Sequence, residues 1–221
     1  MERGMRIFGV VGAGGFGREV MPLLREVVLN DFGSSKDELC FVVEGEVEEG
    51  SINGHAVFSM ERFLSFEGER YFCVAIGSSE PRERITSVMQ ERGAVPLDVK
   101  SGASIVMDGN VIGEGVVLCP FTTITSNARI GRGFQANIYS YVAHDCMIGD
   151  FVTFAPGVKC NGNVVIEDHA YIGTGAVLKQ GSASKPLVIG KGAIVGMGAV
   201  VTKDVPPGVT VVGNPARAMD R

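Results

Sequence analysis

Histidine is scarce in this chain: 3 of 221 residues, His55, His144 and His169. A metalloenzyme built on stacked turns would need a cluster of histidines at matching heights, so this count speaks against a zinc hydratase and predicts no metal. Cysteine occurs 5 times (Cys40, Cys73, Cys119, Cys146, Cys160), an odd number without CxxC spacing. That pattern points away from a disulfide framework and toward buried free thiols in a reducing compartment. No basic run is longer than a pair and the formal net charge is −5, which argues against nucleic acid as a partner. No apolar stretch is long enough to span a membrane. The run after Met1-Glu2-Arg3-Gly4 is too short and too glycine-rich for a signal peptide, so the chain reads as cytoplasmic. What remains, 45% hydrophobic and 20% charged residues, is an ordinary globular composition with room for one large domain or two modest ones.

What the chain does have is a period of six. Every sixth residue from Val106 reads Val106, Ile112, Leu118, Ile124, Ile130, Ala136, Val142, Ile148, Phe154, Cys160, Ile166, Ile172 and Leu178, all apolar or small. The period breaks over residues 179–188 and resumes at Ile189, Val195 and Val201. A helix repeats near 3.6 and a strand at 2, so neither explains it. A hexapeptide repeat does, and it predicts a parallel β-helix in which each short strand turns one side chain inward. Three hexapeptides make a coil of about eighteen residues, and coils stack about 4.8 Å apart, so residue n+18 lies over residue n. Gly181–Pro186 interrupts this plan; its composition suits a flexible, exposed flap, and loops that leave a regular scaffold often bind ligands. Pro206, Pro207 and Gly208, with Gly213–Arg217 after them, are expected to stop the strands and cap the end against edge pairing.

The first hundred residues follow another rule. Arg6–Val11 predicts a buried strand, Gly12–Gly17 a glycine turn, and Arg18–Leu29 an amphipathic helix. Strand, glycine turn and helix are the start of a nucleotide-binding βαβ unit, where glycines let the backbone approach a ligand and the helix N-terminus attracts phosphate. A tight turn without a ligand is the plainer reading. Leu39–Val43 predicts a second strand ending at Glu44, an acid suited to a ribose or base edge or, equally, to a solvated acidic turn with Glu46, Glu48 and Glu49. A short helix over Ser59–Phe66, a third strand over Tyr71–Ile76 and a helix over Glu80–Gly93 complete a small parallel sheet. Its loops at Gly12–Gly17, Glu44 and Gly77–Ser79 should converge on one site. Pro96 to Ser104 reads as the join between the two domains, residues 1–98 and 99–221.

Inward positions of the β-helix belong to its core, so chemistry must come from its turns. His144 is the strongest candidate, because histidine accepts a proton near neutral pH without a special environment. Asp145 beside it is placed to orient the ring, and Gly162, eighteen residues on, should stack over it and leave room for a ligand, with Asn161 or Asn163 capping the same space. A solvated His-Asp turn is the bland alternative. His169 reads as a turn residue.

The hexapeptide run together with Val212–Arg217 resembles the left-handed β-helix acyltransferases. Adding Gly12–Gly17, Ala75-Ile76-Gly77 and Ala143-His144-Asp145 makes the whole chain similar to the bacterial nucleotide-amino-sugar N-acetyltransferases and sialic-acid O-acetyltransferases (PglD/NeuD type). The resemblance implies a Rossmann-like βαβαβ domain holding a nucleotide-amino sugar, followed by a left-handed parallel β-helix. It also implies homotrimers whose active sites lie between neighbouring β-helices, and acetyl-CoA as donor. In its terms His144 is the general base and Asp145 supports it; Gly14, Gly15, Phe16, Gly77 and Asn137 contact the substrate, as does Glu44 at the second strand end. Thr153, Thr174 and Met197 contact acetyl-CoA, with Gly162 near the thioester. The chain departs from that pattern at Phe16 and Thr153, where the family often has histidine, and at Val43-Glu44, where it commonly has two acids. The implied reaction is direct acetyl transfer to a sugar amine. Its rivals are O-acetylation on the same fold and a non-catalytic nucleotide-binding scaffold.

Overall fold

The computed structural model describes residues 5–33, 38–46 and 50–219. The chain divides into two compact units, Met1–Ser101 and Gly102–Arg221.

The first unit is an α/β sheet. Its elements in order are β1 (Arg6–Val11), α1 (Gly15–Val27), β2 (Glu38–Val43), β3 (Gly50–Ile52), β4 (His55–Ser59), α2 (Met60–Leu64), β5 (Glu69–Val74), α3 (Ser79–Glu91) and β6 (Val95–Pro96). The spatial order is β3-β4-β2-β1-β5-β6, with every pair parallel except β3 against β4. β1 is central and buried from Ile7 to Val11, as a parallel strand covered on both faces must be, which is why it reads as an unbroken apolar run. α1 buries Val20, Met21, Leu23, Leu24 and Val27, one stripe of a 3.6-residue period.

The sheet has six strands where three were expected. The β3–β4 hairpin turns through Asn53 (φ 51°) and Gly54 (φ 82°), the left-handed pair that a two-residue hairpin favours. Pro96, where the join was expected to begin, instead closes an edge strand on β5, Val95–Pro96. The helix expected from Arg18 starts at Gly15, because Gly14 is extended and serves as the N-cap, and it continues through a π-turn over Val28–Phe32 to Gly33. Glu48 and Glu49 of the expected acidic turn, and residues 1–4, lie outside the described residues.

Register explains what this sheet does. Val11 pairs with Val42 on one side and Val74 on the other, Gly12 N–H donates to the Val42 carbonyl at 2.9 Å, and Ala75 N–H donates to the Val11 carbonyl at 2.8 Å. The loops after β1, β2 and β5 therefore leave one edge side by side. The order of connection reverses between β1 and β5, the place where open parallel sheets form a crevice.

The second unit is a parallel β-helix with three faces made of strands mostly two residues long. Thr123, Tyr141 and Lys159 stack on one face, Arg129, Met147 and Val165 on another, and Gln135, Thr153 and Tyr171 on the third, each step eighteen residues. The six-residue series is the core: Leu118, Ile124, Ala136, Val142, Cys160, Ile172 and Leu178 are fully buried. The first residues of the series are the exceptions, Val106 at 43% exposed and Ile112 partly buried, since the first strand of a stack has a coil on one side only. All five cysteines are buried and unpaired, and burial pushes the Cys73 thiol up to about 12.

The end and the interruption differ from expectation. Strand pairing continues past Pro206 and Pro207: Thr210–Val212 adds to Ile194–Val195, and Arg217–Ala218 then pairs antiparallel with it and closes the edge. The insertion lengthens one step from eighteen to twenty-three residues, as Val177 pairs with Val200. It is exposed as expected, but it forms a hydrogen-bonded turn rather than an open flap. Ser182 and Lys185 exchange backbone bonds at 3.0 and 3.1 Å, and Ser182 Oγ accepts from Lys185 N–H at 3.1 Å.

Candidate active site

His144 sits at the corner after the strand Tyr141–Val142. The next residue, Asp145, carries φ 58°, a left-handed conformation that an aspartate tolerates and that reverses the chain at the corner. The reversal brings its carboxylate back to the ring: Asp145 Oδ2 lies 2.8 Å from His144 Nδ1. An ionised carboxylate only accepts, so Nδ1 carries the proton and Nε2 presents its lone pair. Both side chains are 49% exposed, open to a reactant.

Gly162 lies one coil on, as the eighteen-residue step predicts. A Cβ there would come within 2.5 Å of His144 Cε1 and Nε2, so only glycine lets the imidazole lie flat against this turn. Among the described residues the Gly162 N–H donates no hydrogen bond, which leaves a backbone donor beside the ring. Asn163 N–H donates to the His144 carbonyl at 3.0 Å and locks the two turns together. Asn161 is tied down by its neighbours, accepting from Tyr141 OH at 2.8 Å and donating to the Leu178 carbonyl at 2.8 Å. Cys146, two residues from His144, is buried with its sulfur 3.2 Å from the Asn161 carbonyl oxygen and 3.9 Å from Cys160 Sγ.

Sequence reasoning missed Asn127. It lies one coil below Asp145, and its Nδ2 donates to Asp145 Oδ1 at 3.4 Å, so the carboxylate is held from both sides. The signal was available: the same eighteen-residue step, taken toward the N-terminus, reaches it.

The remaining residues expected near the acetyl-transfer chemistry, Asn137 for the substrate and Thr153, Thr174 and Met197 for the donor, fall elsewhere on the prism. Asn137, Thr174 and Met197 share a different corner, linked coil to coil by Gly157 N–H to the Ile138 carbonyl, Gly175 N–H to the Pro156 carbonyl and Gly198 N–H to the Thr174 carbonyl. Met197 is 81% exposed there. Asn137 turns its Oδ1 back onto Ile138 N–H at 2.7 Å. Thr153 is on a face strand and buried. One chain thus holds two separate groups, His144–Asp145–Gly162 on one corner and Asn137, Thr174 and Met197 on another.

In the first unit the glycines divide by role. Gly12 has φ 111° and a Cβ there would meet the Ala75 carbonyl oxygen at 2.8 Å, while a Cβ on Gly17 would lie 1.8 Å from the Gly12 carbonyl oxygen. Those two shape the turn. Gly14, Gly15 and Gly77 would meet nothing within 4 Å, so their backbones face open space. Gly14 caps α1 without a side-chain bond, and Phe16 is half-buried in the first turn. That helix start presents N–H groups, the usual receptor for an anion. The Gly77 loop is held from beneath by buried Arg82, whose Nη1 donates to the Ile76 carbonyl at 2.6 Å and to the Gly77 carbonyl at 3.1 Å. Burial pushes its pKa down to about 9, so it stays cationic at neutral pH. Glu44 is paired: Arg84 Nη2 lies 2.8 Å from its Oε2 and holds the carboxyl below its ordinary range. Arg84 gave no sequence signal, because α3 brings it across 40 positions.

Among the described residues no group of three or more His, Cys, Asp or Glu is placed to hold a metal ion, and no helix is long and apolar enough to cross a membrane. No family model matches the chain. Full-length relatives do. GDP-perosamine N-acetyltransferase of Escherichia coli O157:H7 is 51% identical over 218 residues, 98% of this chain and 98% of that protein. The solved structure of WeeI from Acinetobacter baumannii AYE matches with a TM-score of 0.93 at 56% identity, over 97% of this chain and 100% of that one. The acetyltransferase domain of PglB from Neisseria gonorrhoeae FA1090, solved in complex with acetyl coenzyme A, matches with a TM-score of 0.84 at 30% identity, over 98% and 100%. With half its residues shared across nearly the full length of both proteins, the chain belongs to the GDP-perosamine N-acetyltransferase family.

Proposed function

We propose that this enzyme transfers the acetyl group of acetyl-CoA to the amine of GDP-perosamine or a closely related nucleotide-amino sugar. The observation that carries the mechanism is the His144–Gly162 pair: an imidazole with Nε2 available, flat against a turn whose N–H is unused. The amine nitrogen attacks the thioester carbonyl carbon while His144 Nε2 takes its proton, and Asp145 stabilises the imidazolium that results. Charge gathers on the carbonyl oxygen of the tetrahedral intermediate, where the Gly162 N–H is the donor at hand. The carbon–sulfur bond then breaks, and the imidazolium returns its proton to the departing thiolate. Transfer is direct, because all five thiols are buried and none is available to carry an acyl group.

Domain 1–98 is read as the nucleotide-sugar holder, with the α1 start at Gly14, Gly15 and Phe16 receiving phosphate, and with Gly77 and Glu44 flanking it. Domain 99–221 is read as a left-handed β-helix that supplies the acetyl-transfer site. The separation of Asn137, Thr174 and Met197 from His144 within one chain favours a homotrimer, in which neighbouring prisms set these corners opposite each other. The site of action is read as the cytoplasm.

The test is acetyl-CoA turnover, followed by thiol release, against a panel of nucleotide-amino sugars, with His144→Ala and His144→Asn beside the parent enzyme. The expected result is turnover with GDP-perosamine and a loss of about 10²–10⁴ in kcat in both variants with folding intact. Unaltered turnover in the variants would remove the base. Acetylation of hydroxyl acceptors alone would move the enzyme to O-transfer, and absence of acetyl-CoA binding in calorimetry would leave a scaffold protein.

A further inference from the structure

The carbonyl just before Gly162 is held by a thiol, in a pattern that recurs elsewhere in the prism. Cys146 Sγ donates to the Asn161 carbonyl, fifteen residues on, at 3.2 Å, and the Val164 N–H, eighteen residues on, donates to the same sulfur. Ser140 spans the same two steps: its Oγ donates to the Ala155 carbonyl at 3.0 Å and accepts from Val158 N–H at 3.2 Å. Asn110 does so with its amide, Nδ2 donating to the Thr125 carbonyl at 2.6 Å and Oδ1 accepting from Ala128 N–H at 2.8 Å. Each of these side chains brackets a turn of the next coil by donating to one end of it and accepting from the other. A hydroxyl and an amide are the ordinary groups for that task. A thiol is a weaker donor and acceptor, yet a thiol holds the turn that lies against the base.

What the bracket fixes is a peptide plane. A trans peptide points its C=O and its N–H in opposite directions. Cys146 is buried, so drawing the Asn161 oxygen to its sulfur turns the Gly162 N–H away from the core. The next peptide is fixed as well: the Gly162 carbonyl accepts from Gly181 N–H at 3.0 Å, and Asn163 N–H donates to the His144 carbonyl at 3.0 Å. The Asn161 side chain is braced at both ends, Oδ1 by Tyr141 OH and Nδ2 by the Leu178 carbonyl, each at 2.8 Å. Swinging the Gly162 N–H off its line therefore means breaking the Cys146 bond and pulling against the Tyr141 brace. The competing contact is weaker, since Cys160 Sγ lies 3.9 Å from the Asn161 oxygen.

We propose that Cys146 is a positioning residue for acetyl transfer: its thiol, with Tyr141 bracing Asn161, holds the Asn161–Gly162 peptide so that the Gly162 N–H meets the oxyanion of the tetrahedral intermediate. The thiol touches neither reactant and carries no acyl group. The proposal rests on the acetyltransferase reading above and adds to it the residues that aim its backbone donor.

The experiment measures kcat and KM for acetyl-CoA and GDP-perosamine in the parent, Cys146→Ala, Cys146→Ser, Cys160→Ala and Tyr141→Phe, with thermal melting beside each. Loss of an oxyanion donor costs about 10²–10³ in kcat; Cys146→Ala loosens the donor without deleting it, so a fall of about tenfold is expected, with both KM values within about twofold of the parent. Cys146→Ser should return kcat to within about threefold of the parent, because Ser140 shows that a hydroxyl closes the same two steps. Cys160→Ala removes a buried thiol 3.9 Å from Cys146 and leaves the bracket intact, so it should melt lower with kcat unchanged. The pH dependence of kcat/KM should be the same in the parent and Cys146→Ala, since His144 and Asp145 are untouched. Equal losses of kcat in Cys146→Ala and Cys160→Ala overturn the proposal in favour of packing, and a shifted pH profile overturns it in favour of an effect on the base. An unmoved kcat in Cys146→Ala, or a serine variant as slow as the alanine one, overturns it outright. Should Cys146→Ala fail to fold, Tyr141→Phe decides: a fall of about threefold in kcat with KM held supports the clamp, and an unmoved kcat overturns it. A parent enzyme that acetylates no nucleotide-amino sugar overturns the acetyltransferase reading itself, which separates the two failures.

Discussion

Both units are made of parallel strands, yet they build their candidate sites from opposite parts of the strand. In the first unit, strands of up to six residues end together, and the loops beyond β1, β2 and β5 are neighbours because the strands are. In the second, strands of two residues serve as walls, and the corners carry the chemistry in columns. In the coil, proximity is therefore arithmetic: Asn127, Asp145 and Asn163 follow one another by eighteen. In the sheet it is not. Glu44 and Arg84 meet at 2.8 Å across 40 positions with no numerical trace.

The difference can be broken most forcefully in the coil core. Phe154 is buried and packs edge-on against Phe134 at 5.1 Å, so Phe154→Ala should cost about 3–5 kcal/mol. Denaturant unfolding measures this, and hydrogen exchange should place the loss in residues 102–219. The counterpart in the sheet unit is Gly17→Ala, where backbone meets backbone and the turn cannot yield as a side chain would. About 1–3 kcal/mol is expected, with exchange rising in residues 5–33.

Gly162→Ala sharpens the contrast, because the atoms it would strike belong to an exposed ring that can swing away. Melting should hardly change while kcat falls about tenfold or more, as displacement of Nε2 weakens base catalysis. A parallel fall in stability would mean that Gly162 serves packing rather than the base. Asn127→Ala removes one long hydrogen bond to Asp145 and should lower kcat only a few fold, with KM held.

The smallest effect belongs to Glu44 and Arg84. Arg84 lowers the Glu44 pKa in the folded state, so the pair stabilises above the ordinary carboxylate pKa and its contribution is lost as pH falls through the lowered folded value. Both groups are exposed, so added salt should erase the difference between the parent and Glu44→Gln in acid titrations.

How much of this was legible follows from the same contrast. The coil core could be read because each inward residue announces itself every sixth position, and His144 over Gly162 because the step is constant. Asn127 was equally readable and was missed by counting in one direction only. The β3–β4 hairpin was also missed, although Asn53-Gly54 is a hairpin signal, because strands of three and five residues carry little periodicity. Arg82 beneath Gly77 could not be read, since a buried arginine looks like any surface cation of an amphipathic helix until the fold places it. The corner shared by Thr174 and Met197 is hidden in the sequence because the insertion makes their step twenty-three residues where the other coils have eighteen.

That insertion also sets a rule for length. Its five extra residues leave the pairing of Val177 with Val200 and of Val164 with Leu187 in phase, because the surplus is looped out where the chain already turns. A single residue added inside a two-residue wall has no such exit: it would exchange inward for outward and carry the fault into every later coil. The coil therefore absorbs changes of chain length at its corners without loss of strand register, and would lose that register if the change fell within a wall.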